Sequence, residues 1–152
     1  MYHSELIKKF KEEISHFPDA QIDEVPSFSS IFEFKDESWR CVFTASNIVS
    51  KTNDTTLHSE IIAIKESQRI LKNRYLTNYI LITTLEPCLM CTGAIVGARI
   101  KSVVYLSEQT KQAGISSLSL ENIYMLNHFP ELHFIKDQDV ELEISKFFKK
   151  KR

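Results

Sequence analysis

Two short stretches, His58-Ser59-Glu60 and Pro87-Cys88-Leu89-Met90-Cys91, decide how the rest of this chain is arranged. Together they supply one imidazole, two thiols and one carboxylate. Zinc binds His nitrogen and Cys thiolate in tetrahedral sites, and a catalytic zinc keeps three protein ligands and one open position. The two stretches therefore predict a zinc site made of the histidine and the two cysteines, with the glutamate remaining for proton transfer.

The Cys-x-x-Cys pair could instead be a redox pair, half of a structural zinc site, or two buried small side chains. A structural site needs a fourth Cys or His, and the only other cysteine, Cys41, stands alone in an apolar, strand-like run. A redox pair needs neither the His-x-Glu stretch nor the proline before the first cysteine. We therefore predict a catalytic site, with Glu60 as general acid and base. The predicted zinc ligands are His58, Cys88 and Cys91.

Length and composition predict one globular domain, residues 1–152, with a sizeable core. Hydrophobic residues make up 43% and charged residues 26% of the chain, as in ordinary globular proteins. No apolar run approaches the roughly 18 residues of a membrane span, and the first residues lack the apolar stretch of a signal peptide. Three cysteines, two of them in the metal motif, suit a reducing compartment. We therefore expect a cytoplasmic protein with no membrane partner.

Hydrophobic periodicity predicts four helices and five strands. The predicted helices cover residues 2–17, about 58–71, 88–99 and about 140–148, and the strands cover 29–35, 39–46, 79–85, 102–106 and 132–135. Strand, helix and strand between 79 and 106 form a βαβ unit, which is parallel and right-handed. Residues 36–38 are predicted as a hairpin turn, and Thr55 or Thr56 as the N-cap of the second helix. A polar loop precedes that helix, and residues 107–130 are predicted as a loop with a short helix from about Leu118.

The spacing of the motif residues predicts that two helix N-termini face one metal ion. His58 and Glu60 point apart on a helix flank, but both can project from the first turn. Cys88 and Cys91 share a face at the start of the next helix. The positive ends of the two helices favour thiolate over thiol. Zinc would make a hydroxide for attack on a carbon that carries an exocyclic amine, and Glu60 would shuttle the protons. Hydrolytic deamination of a nucleobase is the reaction that this set of groups favours.

Residues 84–95, Thr-Leu-Glu-Pro-Cys-Leu-Met-Cys-Thr-Gly-Ala-Ile, followed by Ala98-Arg99-Ile100, resemble the cytidine deaminase-like superfamily. The ordered pair H-x-E and P-C-x-x-C is a known signature of zinc base deaminases. Within the superfamily the chain is similar to the bacterial tRNA-specific adenosine deaminases. Glu24-Val25-Pro26 before the first strand, Asn47 after the second strand, and the ending Phe147-Phe148 with basic residues also match that family.

The resemblance implies an α/β fold, a three-layer α/β/α sandwich with a five-stranded mixed sheet, and a homodimer with zinc as cofactor. It implies conversion of adenosine to inosine at the wobble position, so the anticodon loop of tRNA is the expected partner. Asn47 would hydrogen-bond the target base, although such an Asn can also simply close a strand, and the amide of Cys88 would help to hold the zinc-bound oxygen. The predicted substrate-binding residues are Asn47, Val25, Pro26, Leu85 and Pro87.

The chain departs from the family pattern at residues that concern the substrate and not the chemistry. Ser59 stands where the family usually has Ala, Ser27-Phe28-Ser29 replaces Val-Gly-Ala, and residues 107–112 lack the usual Arg-Asp. The net charge of −1 is low for an enzyme that grips phosphates. Tyr124, Phe147 and the terminal lysines could contact an anticodon loop. Alternatively, the two aromatic side chains could pack in the core and the lysines could form a solvated tail.

Two alternative functions therefore stay open. One is a deaminase of a free base or nucleoside, of guanine or cytosine type. The other is a zinc-stabilised but catalytically idle subunit or binding module, against which Glu60 argues, because a structural site needs no spare carboxylate.

Overall fold

The computed structural model describes residues 2–18 and 23–151, and these residues contain six α-helices and five β-strands. The helices are α1 (Tyr2–Ser15), α2 (Val49–Thr52), α3 (Ser59–Leu71), α4 (Leu89–Gly97), α5 (Leu120–Tyr124) and α6 (Gln138–Lys150). The strands are β1 (Phe28–Lys35), β2 (Ser38–Ser46), β3 (Ile80–Thr83), β4 (Ser102–Tyr105) and β5 (Glu131–Phe134). No helix in the described residues is long and apolar enough to span a bilayer.

The strands form one mixed sheet in the order β2-β1-β3-β4-β5. β1 is antiparallel to both β2 and β3, whereas β3, β4 and β5 run parallel. A parallel pair needs a crossover connection, and α4 supplies it between β3 and β4. The predicted βαβ unit and the five-stranded mixed sheet are therefore confirmed.

Helices cover both faces of the sheet, because neighbouring residues of each strand point to opposite faces. In β3, Leu81 points to a core shared with α3 and α4, while Ile80 and Ile82 point to a core shared with α1. Val140 of α6 packs against the second core. Alternate burial of this kind makes a three-layer α/β/α sandwich, as the sequence predicts.

The connection that leads to α3 differs from the sequence prediction in two respects. The N-cap of α3 is His58, so the prediction of Thr55 or Thr56 is wrong. The backbone N–H and hydroxyl of Thr56 both donate to Asp54 Oδ1, at 2.9 and 2.6 Å, and this local turn uses the groups that a cap would need. The predicted polar loop before α3 contains the short helix α2.

The β1–β2 hairpin is closed by Asp36 and Glu37 alone, with φ of 51° and 58°. Both residues lie in the left-handed region that a two-residue type I′ turn requires. Ser38, predicted as part of the turn, is the first residue of β2.

Candidate active site

Two helix N-termini meet at the site, as the motif spacing predicts. His58 is the N-cap of α3, and Cys88, which follows the end of β3, is the N-cap of α4. Neither side chain makes a capping hydrogen bond to its own helix. The two side chains instead contact each other, in front of the positive ends of both helices.

The three predicted zinc ligands lie close together. His58 Nδ1 is 3.6 Å from Cys88 Sγ and 3.5 Å from Cys91 Sγ. The three ligand atoms all lie within 4.8 Å of one another. Zinc bonds of about 2.0 Å to nitrogen and about 2.3 Å to sulfur at tetrahedral angles separate the two atoms by about 3.5 Å. The donor set therefore fits a zinc ion, with three protein ligands and an open fourth position.

The site already favours one thiolate. The hydrogen bond from Cys91 and the hydrogen bond with His58 lower the pKa of Cys88 to about 4, against the opposing effect of burial. The hydrogen bond with Cys88, together with burial, raises the pKa of Cys91. The hydrogen bond with Cys88 also raises the pKa of His58. A metal ion must therefore displace protons from Cys91 and His58, so binding depends on pH.

Glu60 lies in the first turn of α3 and is only 4% exposed. Burial raises the pKa of its carboxyl group. Glu60 lines the same cavity as His58 and Cys88, so the carboxylate lies beside the ligand cluster. A buried carboxylate at this position is suited to accepting and returning a proton.

Buried hydroxyls lie behind Glu60. Ser59 Oγ is 3.3 Å from Glu60 Oε2, 2.7 Å from Ser29 Oγ and 3.1 Å from Ser27 Oγ. Ser29 donates to Thr83 Oγ1 at 2.9 Å. The three serines that depart from the family pattern are therefore one connected set.

A cavity of about 270 Å³ opens above the ligand cluster. This volume is below the roughly 300–1,000 Å³ of drug-sized ligand sites, and it suits a single base better than a larger planar ligand. The lining residues are Val25, Ser27, Asn47, His58, Glu60, Leu85, Cys88, Gln109, Lys111, Gln112 and Phe148.

Three of the five predicted substrate-binding residues line this cavity: Val25, Asn47 and Leu85. Pro26 instead lines two other cavities, and the carbonyl of Pro87 accepts a hydrogen bond from Ile115 N–H at 2.9 Å. Substrate contacts for these five residues stay predictions.

Asn47 is held by a second buried residue. Its Nδ2 donates to Glu24 Oε2 at 3.0 Å, and Glu24 Oε1 accepts from Lys51 N–H in α2 at 2.6 Å. Because a carboxylate only accepts, this bond fixes which side of the Asn47 amide carries nitrogen.

The sequence reasoning did not identify Gln109, Lys111 and Phe148 as residues of the cavity wall. Gln109 and Lys111 belong to the long connection after β4. The only sequence signal for their role is the length of that connection, because long loops in compact domains often form part of a binding site. Phe148 falls in the last predicted helix, about 140–148, where nothing in the pattern marks it as a cavity residue.

Comparison with known proteins places this geometry in a family. A family model for the zinc-binding region of cytidine and deoxycytidylate deaminases matches residues 34–107. The tRNA-specific adenosine deaminase of Aquifex aeolicus (strain VF5) is 37% identical over 109 residues, which cover 71% of this chain and 72% of that protein. The guanine deaminase of Bacillus subtilis (strain 168) is 45% identical over 67 residues, 44% of this chain and 43% of that protein.

A solved structure from a study of A-to-I editing by tRNA:A34 deaminases at the wobble position of transfer RNA has the same fold. It superposes with a TM-score of 0.67 and 28% identity, over 82% of this chain and 86% of that one.

The three-layer fold, the three-ligand metal cluster and the buried carboxylate beside it define a zinc-dependent nucleobase deaminase. The chain belongs to the cytidine deaminase-like family, in which it is similar to tRNA-specific adenosine deaminases. The predicted fold and zinc cofactor are thereby confirmed.

Proposed function

We propose that this protein converts adenosine to inosine at the wobble position of a tRNA anticodon by hydrolytic deamination. The observation that carries the proposal is the ligand cluster of His58, Cys88 and Cys91, with buried Glu60 beside it, at the floor of a base-sized cavity. The similarity to a tRNA-specific adenosine deaminase over 71% of the chain supports adenosine in tRNA as the substrate.

The protein side chains divide the chemistry between them. Zinc, when bound, supplies a water molecule acidic enough to react near neutral pH. Glu60 accepts a proton from the attacking water and delivers it to the ring nitrogen of the base, and then carries the second proton of that oxygen to the departing amine, which leaves as ammonia. Asn47, fixed by Glu24, presents its amide to the edge of the base. Burial of Glu60 excludes competing water from the proton transfer.

A base in a folded anticodon loop must leave its stack to reach this cavity, and single-stranded loops allow this at low cost. The cavity wall contains Lys111 and Phe148, and Lys111 Nζ lies 5.8 Å from the centroid of the Phe148 ring. A cation and an aromatic ring at the cavity mouth suit a phosphate and a stacked neighbouring base.

The proposal is tested by mass spectrometry of products from zinc-loaded protein. The substrates are an anticodon stem-loop with adenosine at position 34, free adenine, guanine and cytosine, and their nucleosides. Inosine in the stem-loop is the expected result. Deamination of a free base or nucleoside with an intact stem-loop would refute the tRNA proposal.

Glu60→Ala identifies the role of the carboxylate in the same assay. Turnover should fall by about 10²–10⁴-fold, the usual contribution of a general acid–base group, while zinc content stays unchanged. Glu66→Ala, on the solvent side of α3 where Glu66 pairs with Arg69, is the matched control. Full activity of Glu60→Ala would contradict the mechanism, and no turnover by the unmodified protein would favour an idle binding module.

Guanine deamination is the second candidate function. The 45% identity to the Bacillus subtilis guanine deaminase over 67 residues favours it over other free-base reactions, and the overall charge of −1 fits a substrate without a phosphate backbone. Xanthine production from guanine in the same product assay separates the two candidates.

We propose that residues 1–152 act as one domain and that the protein is a cytoplasmic homodimer. Exposed apolar side chains on and just after α5 support an interface with a second copy of the chain. Leu120, Tyr124 and Met125 are 71%, 84% and 81% exposed. Exposed apolar clusters of this kind mark protein interfaces. Tyr124→Asp should convert a dimer to a monomer in light scattering, whereas Leu142→Asp, at an exposed position of α6, should not.

A further inference from the structure

Glu86 is a buried acidic residue that the deamination chemistry does not use. It lies between β3 and Cys88 and is 3% exposed. A buried carboxylate requires hydrogen-bond donors. Its Oε2 accepts from Gln109 N–H at 3.0 Å, and its Oε1 accepts from the N–H and the hydroxyl of Ser116 at 2.9 and 2.5 Å. All three donors belong to residues 107–117, which we name the cavity loop.

The backbone of Glu86 is bonded to the same loop. Its N–H donates to the carbonyl of Ser107 at 2.8 Å, and its carbonyl accepts from Gln109 Nε2 at 3.2 Å. One residue therefore binds both ends of the cavity loop. Cys88, two residues further along the chain, forms an antiparallel bridge with Gly114, so the metal-binding turn and the cavity loop are joined side by side.

The cavity loop supplies one wall of the site. Gln109, Lys111 and Gln112 line the cavity whose floor holds His58 and Cys88. Gln109 therefore has two roles, because its backbone N–H is held by the Glu86 carboxylate while the residue itself faces the cavity. Any movement of that carboxylate changes where this wall stands relative to the zinc ligands.

Gly114 makes room for the carboxylate. A Cβ at position 114 would overlap the carboxyl carbon of Glu86 and both of its oxygens. The end of a glutamate side chain could normally move aside, but here three hydrogen bonds fix it. A methyl group at Gly114 therefore disturbs the same contacts from the other side.

We propose that Glu86 is a positioning residue that holds the cavity loop against the metal-binding turn, and that Gly114 is the position that admits its carboxylate. The role in substrate binding rests on the proposed tRNA deaminase function, whereas the structural link between carboxylate and loop does not. Glu86 has no part in proton transfer, so its loss should weaken substrate binding and leave metal binding intact.

Two variants test the link from opposite sides. Glu86→Gln keeps the size of the side chain but places an NH₂ group against donors, so at least one hydrogen bond is lost. Amide hydrogen exchange, measured by NMR on zinc-loaded protein, should speed up about tenfold or more at Gln109 or Ser116, the amides that donate to the carboxylate. Gly114→Ala should accelerate the same amides, and zinc content should stay unchanged in both variants.

The kinetic readout uses the anticodon stem-loop. In both variants KM should rise about tenfold while kcat stays within about threefold, the pattern of lost binding with intact chemistry. Gly97→Ala is the matched control, because a Cβ at Gly97 meets nothing within 4 Å; its exchange and kinetics should equal those of the unmodified protein.

Each outcome decides one part of the proposal. Unchanged exchange at both amides, or loss of zinc from Glu86→Gln, would overturn the positioning role whatever the substrate is. Faster exchange with unchanged KM would show a loop contact without a role in binding, and would also overturn it. A stem-loop that even the unmodified protein leaves intact would refute the proposed function alone, since exchange and zinc content need no substrate.

Discussion

Substitution of Ser59 by alanine should destabilise the protein by an amount that can be counted from its hydrogen bonds. Ser59 is 0% exposed and forms two well-placed bonds, to Ser29 at 2.7 Å and to Ser27 at 3.1 Å. Each buried hydrogen bond contributes about 1 kcal/mol net. We therefore expect Ser59→Ala to cost about 2 kcal/mol, which lowers the Tm of a chain of this length by about 4–8 °C.

A double substitution makes the test sharper. Ser29→Ala should also cost about 2 kcal/mol, because Ser29 bonds to Ser59 and to Thr83. The two residues share one bond, so the double variant should lose about 3 rather than about 4 kcal/mol, a coupling of about 1 kcal/mol. Urea unfolding of zinc-loaded protein measures these free energies. Ser145→Ala, exposed on α6, is the control. Fully additive costs would refute the connected hydroxyl set.

Three further predictions concern the metal and the fold. Cys88→Ala should abolish stoichiometric zinc binding, seen by metal analysis, and lower the Tm as well, because it removes one of three ligands. Acidification should release zinc, measured by competition with a chelator. The hydrogen bonds with Cys88 raise the pKa of His58 and of Cys91, and both groups must lose protons to bind the metal. A zinc affinity that is constant with pH would contradict this.

Asp137→Ala belongs to the same set and should cost about 1 kcal/mol, because Asp137 caps α6 by accepting from Val140 N–H. Burial opposes ionisation of Asp137, but the bonds from Lys11 and Val140 outweigh it and hold its pKa below 3.8. This contribution is complete above about pH 4 and is lost as the pH falls through the lowered pKa. Urea unfolding at pH 7 and pH 3 checks both statements, and an equal cost at both pH values would contradict them.

The sequence predicted the sheet and the ligand cluster because both rest on short-range patterns. The apolar run that contains β3 identifies a buried strand, and the i, i+3 spacing of Cys88 and Cys91 puts two ligands on one helical turn. The spacing of His58 and Glu60 likewise predicted a helix start. All of these signals lie within a few residues of chain, where backbone geometry alone is decisive.

The parts that the sequence missed depend on contacts between distant segments. Glu86 bonds to residues more than twenty positions away, and no local pattern marks a glutamate after a strand as a loop anchor. The predicted N-cap of α3 was wrong because Thr56 hydrogen-bonds to Asp54 and does not cap the helix. The two local hydrogen bonds are of similar strength, so the sequence alone does not show which one forms. The serine departures appeared as separate changes in sequence, and only the fold shows that Ser27, Ser29 and Ser59 touch.

The pairing of β1 with β3 has a consequence for synthesis of the chain. Ser29 pairs with Thr83, so the hairpin of β1 and β2 leaves the ribosome long before its other neighbour exists. At translation rates of about 5–20 residues per second, the 37 residues that follow Ser46 up to Thr83 take about 2–7 s. During that interval one edge of β1 is unpaired and its apolar faces are uncovered, which favours association with other chains. The nascent hairpin is therefore the segment of this protein that we expect chaperones to bind during translation.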